Sequence, residues 1–257
     1  MNTWIKPIPK PISSLSLSSC LVLAVLLLAG PVPAASPPSA APAVPLFDNL
    51  GTHHYAITTN VPLAQRYFDQ GLRLYYAFNH AEAIRAFAEA VRLDPACPMC
   101  HWAVALAHGP NINASMDRAA ALAAYEAVQK AKAIESKASP KERALIRALS
   151  ARYAADPPEE RSALDAVYAM AMGEVARQYP DDLDVATLYA ESLMDRSPWN
   201  YWTADGKPRP DTPEILKQLE RVLAANPDHP GANHFYIHAV EATQPQRAVA
   251  AAERLAK

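Results

Sequence analysis

Two short runs of this 257-residue chain gather residue types that do chemistry. The first is CPMCH, Cys97 to His101. Its two thiols and imidazole have the spacing by which an exported protein attaches a c-type haem, with thioethers to both sulfurs and the histidine on the iron. The same residues suit a local disulfide or buried thiol pair, or a redox-exchanging or metal-binding thiol at a helix N-terminus. The second run is HFYIHAVE, in which His234, His238 and Glu241 are spaced four and three apart. On a helix these three share one face. Two imidazoles and a carboxylate suit zinc or another divalent first-row metal with a coordination position open, and they equally suit a polar face satisfied by hydrogen bonds and water.

Weaker signals lie elsewhere. His53 and His54 have the chemistry to ligate a metal, but adjacent histidines in a loop point apart, so they are expected to be exposed or capping. GPNIN, Gly109 to Asn113, reads as a turn closing the CPMCH helix, and Asn111 and Asn113 have the chemistry to bind a peptide backbone. No Ser-His-Asp order, glycine-rich phosphate loop or H-E-x-x-H run stands out, so no catalytic residue is assigned.

Positioning these groups falls to helices. Only 7 glycines and 8% aromatic residues, with abundant alanine, argue for packed helices over short strands, giving an all-α class. A formal charge of −2 without a Lys/Arg stripe excludes nucleic acid as an expected partner. At the N-terminus, Lys6 and Lys10 precede the apolar run LVLAVLLLAG, then Val32 and Ala34 at the small positions of a cleavage site. This predicts a signal peptide over 1–34, too short in its apolar core to span a bilayer, and therefore a periplasmic or secreted protein with no membrane segment after cleavage. Cleavage removes Cys20 and leaves Cys97 and Cys100 in an oxidising compartment. Residues 35–50, rich in Pro and Ala, read as an extended mobile linker, with the domain over 51–257.

From Pro62 to Pro95 two apolar periodicities flank Asn79-His80, which predicts a helical hairpin. It resembles a tetratricopeptide repeat (TPR): Tyr67, Gly71, Leu74, Ala83, Phe87, Ala90 and Pro95 fill that pattern in register. Gly71 and Ala83 would let the helices cross closely, and Phe87 would fill the space between neighbouring hairpins. Degenerate units follow at about 96–139, 140–180, 181–227 and from Asp228, giving an expected TPR-like α-solenoid of about four to five units. RQYPDD and AANPDHP repeat the closing turn, and Ala121 and Tyr125 stand where Ala83 and Phe87 stood. The insertion Ser197 to Asp211, with two of the four tryptophans, is expected to pack on something. Three stretches, GTHHYAITT, CPMCHWAVALAHGPNIN and HPGANHFYIHAVEA, are similar to a family of exported bacterial TPR proteins of unassigned function. Members of that family normally run longer, so the chain is expected to be truncated, with no polar cap after RAVAAAERLAK.

The TPR register then orients both runs. Counting from Pro95 puts His101 at the first large, packed position, which favours the disulfide or buried pair over haem. A porphyrin would need apolar space on both faces of a helix already committed to its neighbours, and a second axial ligand would have to come from His80, His108 or Met116. Counting from Pro227 puts His234, His238 and Glu241 on the concave groove, and counting from Pro180 adds Glu191 and, at its end, Asp195. The expected function is a scaffold binding a protein segment or ligand in that groove. The alternative is a metal-binding or haem c protein built on the same repeats.

Overall fold

The computed structural model describes residues 44–256, so the expected signal peptide, and residues 35–43 of the expected linker, lie outside the described residues. The fold is all-α. Among the described residues ten α-helices follow one another: α1 Pro62–Tyr76, α2 His80–Leu93, α3 Pro98–Ala107, α4 Arg118–Ala133, α5 Pro140–Ser150, α6 Ser162–Gln178, α7 Leu183–Met194, α8 Thr212–Ala225, α9 Pro230–Val240 and α10 Val249–Leu255. No described helix is long and apolar enough to cross a membrane.

Local chemistry sets where the helices start. Proline occupies the first turn of α1, α3, α5, α8 and α9, where its missing N–H costs nothing. Asn79, Asp117, Asp182 and His229 each accept an N–H of the turn they precede, and Ser139 forms a reciprocal capping box with Glu142. Each helix packs on the next, so the elements form consecutive pairs. Beyond this, α1 touches α3, α3 touches α5, α7 touches α9, and α9 returns to touch α1.

Two glycines allow the closest approaches. A Cβ on Gly71 would run into the Phe87 ring, and one on Gly231 would lie 2.5 Å from the Tyr76 ring. Phe87 packs on Gly71 and on Phe68, 5.6 Å away, both in α1. It therefore fills its own hairpin rather than the space between hairpins, because the missing Cβ of Gly71 opens a slot directly opposite.

The helix register corrects two further expectations. Pro98 starts α3 one residue out of phase with a count from Pro95, so Met99, Trp102, Ala103 and Leu106 form the buried stripe. Trp102, not His101, takes the packed side and donates its indole N–H to the Leu145 carbonyl at 3.2 Å. His101 is half-buried, with its ring 3.1 Å from the Pro95 carbonyl. The packed chain also begins before Gly51: the Val44 carbonyl accepts from Tyr67, and the Pro45 carbonyl from Gln70. The 197–211 insertion packs on α9, where Trp202 donates to the Ala239 carbonyl at 2.7 Å.

Candidate functional site

The last turn of α1 and the turn after it collect histidines. His53 and His229 lie against Tyr76, His80 stacks on Tyr75 at 4.8 Å, and His234 and His238 lie against Phe78. These are five of the chain's eight histidines, so this corner is where its imidazole chemistry resides. Two causes bring them together. Gly231 lets the start of α9 settle on the Tyr76 ring, and the tight α1–α2 turn swings Phe78 outward at φ 57°, in the left-handed region that aromatic residues avoid.

Before α1 runs an extended strap, residues 44–61, held by side chains that bond its backbone. Gln70 accepts from Phe47 N–H at 2.7 Å and donates to the Pro45 carbonyl at 2.9 Å. Gln65 repeats the clamp on Ile57 N–H and the Tyr55 carbonyl. Arg73 donates to the His53 carbonyl, Asp69 accepts from Tyr55 N–H, and Glu142 of α5 accepts from Thr58 N–H at 2.6 Å. Between clamps the strap buries Tyr55 and packs Val44, Leu46, Leu50 and Ile57 against the core.

The strap delivers His53 to Asp184 in the first turn of α7. Asp184 Oδ1 lies 2.8 Å from His53 Nε2 and 3.4 Å from His229 Nε2, and accepts the Tyr76 hydroxyl at 2.8 Å. The donor atoms of His53, Asp184 and His229 lie within 4.8 Å of one another, a spacing compatible with a metal ion. The tautomer of His229 argues otherwise. Its Nδ1 accepts the Ala232 N–H as the cap of α9, so in the neutral ring the proton sits on Nε2 and points at Asp184. A metal ligand needs the reverse, with Nδ1 donating and Nε2 bare. Asp184 is thus a carboxylate hub fed by donors. Burial alone would push it up, but the nearby imidazoles of His229 and His53, the second hydrogen-bonded to it, outweigh that and hold it well below the usual carboxylate range.

A cleft of about 970 Å³ opens beside this hub, between strap residues 50–56 and the turns leading into α7 and α9. Lys141 reaches Asp182 at 2.6 Å on its wall and lies 4.7 Å over the Tyr55 ring.

Deeper in the same corner the expected groove residues Glu191 and Asp195 are buried and offer no open surface. The Glu191 carboxylate accepts from Tyr75 at 2.7 Å. Asp195 meets the fully buried Arg152 at 2.7 Å, and Arg152 also bonds Asp165 at 3.0 Å. Burial, then the charge of Asp195, raises Glu191 well above its usual value; burial raises Asp195 to about 6 against the pull of Arg152. The correction has a plain cause: Tyr75, from the last turn of α1, reaches across to this face of α7 and covers Glu191.

His234 and His238 do come together, with Nε2 atoms 3.0 Å apart. Glu241 does not share the point where they meet. It accepts from His238 Nδ1 at 2.7 Å, on the far side of that ring.

Cys97 and Cys100 are joined by a disulfide and buried. A covalently held haem would need the same two sulfurs as thioethers. Of the axial ligands weighed from the sequence, His80 stacks on Tyr75, and His108 caps the end of α3 opposite the disulfide.

Sequence reasoning left His53 as a surface residue and passed over Asp184 and His229. The signal available was that the stretches GTHHYAITT and HPGANHFYIHAVEA, the more specific parts of the chain, carry His53 and His229. Comparison of the chain with family models, with curated proteins and with solved structures gives no match.

Proposed function

We propose that this chain is a TPR-type α-solenoid that works as an exported scaffold, periplasmic or secreted, binding extended polypeptide on the inner face of its first helices. The observation that carries the reading is the strap. Residues 44–61 lie extended across α1, α5 and α7 and are gripped mainly through backbone N–H and C=O groups. A carboxamide that both accepts from and donates to a peptide backbone recognises an extended chain whatever its side chains, and Gln65 and Gln70 both do this. The surface therefore has the chemistry of a peptide groove, and its present occupant is the chain's own N-terminal segment. The pairing of consecutive helices at the expected repeat boundaries supports the solenoid, and the buried disulfide supports an oxidising compartment.

A labelled peptide with the sequence of residues 44–61 tests the reading against the full mature chain. Weakening the strap in cis with His53→Ala and Thr58→Ala leaves the clamps on α1 intact. Peptide added in trans should then bind at least about tenfold more tightly than to wild type, because the competing segment is lost. Fluorescence anisotropy flat for both proteins up to millimolar receptor would refute the groove.

A further inference from the structure

We infer that His234 and His238 form a binding site for a divalent first-row metal ion, zinc in the first instance, through their two Nε2 atoms, with Glu241 supporting from behind. This reading is independent of the strap and of the peptide groove.

The argument rests on where the ring protons must be. His234 Nδ1 lies 2.6 Å from the Tyr76 carbonyl, which can only accept, so Nδ1 carries the proton. That carbonyl is one of the last in α1, left without an intrahelical partner, and His234 satisfies it. His238 Nδ1 lies 2.7 Å from a Glu241 carboxylate oxygen, again an acceptor. With both Nδ1 atoms donating, both neutral rings present a bare lone pair at Nε2. Those lone pairs point at each other across 3.0 Å, which is repulsive unless a cation lies between them. A zinc ion with nitrogen bonds of about 2.0–2.1 Å holds two ligands roughly 3.3 Å apart at a tetrahedral angle, a few tenths of an ångström wider than the gap seen. An Nδ1–H donated to a carbonyl on one ring and to a carboxylate on the other is the usual outer support of metal-bound histidine.

A second observation converges on the same place. Phe78 and Trp199 are the non-glycine residues at positive φ among the described residues, at 57° and 61°. Both lie against this pair. Phe78 is 4.5 Å from the His234 ring and 5.9 Å from the His238 ring, and Trp199 sits edge-on to His238 at 5.0 Å. Both residues sit in a backbone region that costs energy for a side chain of this size, and the fold holds two such backbones where they wall one histidine pair. Trp199 is half exposed, at 51%, so this wall of the pair stands at the protein surface, and water or a ligand oxygen or nitrogen would complete the coordination.

The competing explanation is a proton in place of the metal, shared between the rings with His238 as imidazolium. Zinc titration of the chelated, untagged mature chain separates the two. One equivalent should bind, thermal stability should rise with zinc concentration, and both His234→Ala and His238→Ala should abolish the effect. Glu241→Gln, at a partly exposed carboxylate, should keep the fold and weaken zinc binding about 10- to 100-fold. No binding to wild type would leave the shared proton and overturn the site. Binding kept in both alanine variants, or lost in His229→Asn while His238→Ala retains it, would also overturn it by placing zinc elsewhere.

Discussion

Tyr76 gives its hydroxyl to Asp184 at 2.8 Å while its carbonyl takes the Nδ1 proton of His234 at 2.6 Å. One residue at the end of α1 thus ties the carboxylate hub to the histidine pair, and the ring between the two contacts lies where Gly231 lets α9 approach.

Tyr76→Phe keeps that ring and deletes one donor to Asp184. A hydrogen bond to a buried charge contributes about 1.5–3 kcal/mol, so urea unfolding at neutral pH should show a loss of that size. The pH dependence adds a second check. Asp184 is held below its usual 3.8 in the folded chain, so its contribution is complete above pH 3.8 and is lost as pH falls below that value. With a donor gone the folded carboxyl rises toward 3.8, and the variant should lose less stability in that acid range than wild type does. Equal acid profiles would show that Tyr76 does not stabilise the ionised form.

His80 reports on burial in the same corner. Burial, opposed by a hydrogen bond to the Ala107 backbone and helped by the charge of Arg152, pushes its imidazole from 6.5 down to about 4. For a depressed base the unfolded chain takes up the proton first. Stability should therefore decline as pH falls from 6.5 toward 4, by up to about 3 kcal/mol, and level off below. His101, His108 and His234 are shifted the same way by burial and add to the slope. His80→Gln isolates the His80 share: its stability between pH 6.5 and 4 should fall less than that of wild type. A slope identical to wild type would mean that His80 takes up its proton over the same pH range in the folded and unfolded chain.

The helix pairs were legible because their signals are local. Pro62, Asn79 and Pro95 punctuate the first hairpin within a few residues of the boundaries they set. The meeting of His234 and His238 was legible for the same reason, since four residues on a helix fix a neighbour. The Asp184 hub was not, because its donors His53 and Tyr76 are 131 and 108 residues away, beyond any periodicity. The burial of Glu191 was missed for a related reason. The repeat register gives the face of α7 on which it sits, but only the position of α1 decides whether that face meets water or the Tyr75 ring.

Glu191 also carries the sharpest sign test. Tyr75 donates to one of its oxygens at 2.7 Å, and the other is buried without a partner. Burial and the charge of Asp195 raise the carboxyl well above 4.5, so the folded chain retains a proton that the unfolded chain releases above pH 4.5. Retaining it costs stability, and the cost grows as pH rises from 4.5 toward the folded value. Glutamine mimics the protonated carboxyl, keeps an oxygen for Tyr75 and cannot ionise. Glu191→Gln should therefore sit within about 1 kcal/mol of wild type at pH 4.5 and become the more stable protein as pH increases. Glu191→Ala would instead leave the Tyr75 hydroxyl unpaired in a cavity and should cost more than about 2 kcal/mol at pH 4.5, a deficit that narrows as pH rises because alanine cannot ionise either. Were Glu191 ionised in the folded state through Arg152, the glutamine variant would lose that attraction and fall further behind wild type with rising pH. The direction of the stability difference, followed by chemical unfolding from acid to mildly alkaline buffer, decides between the two charge states.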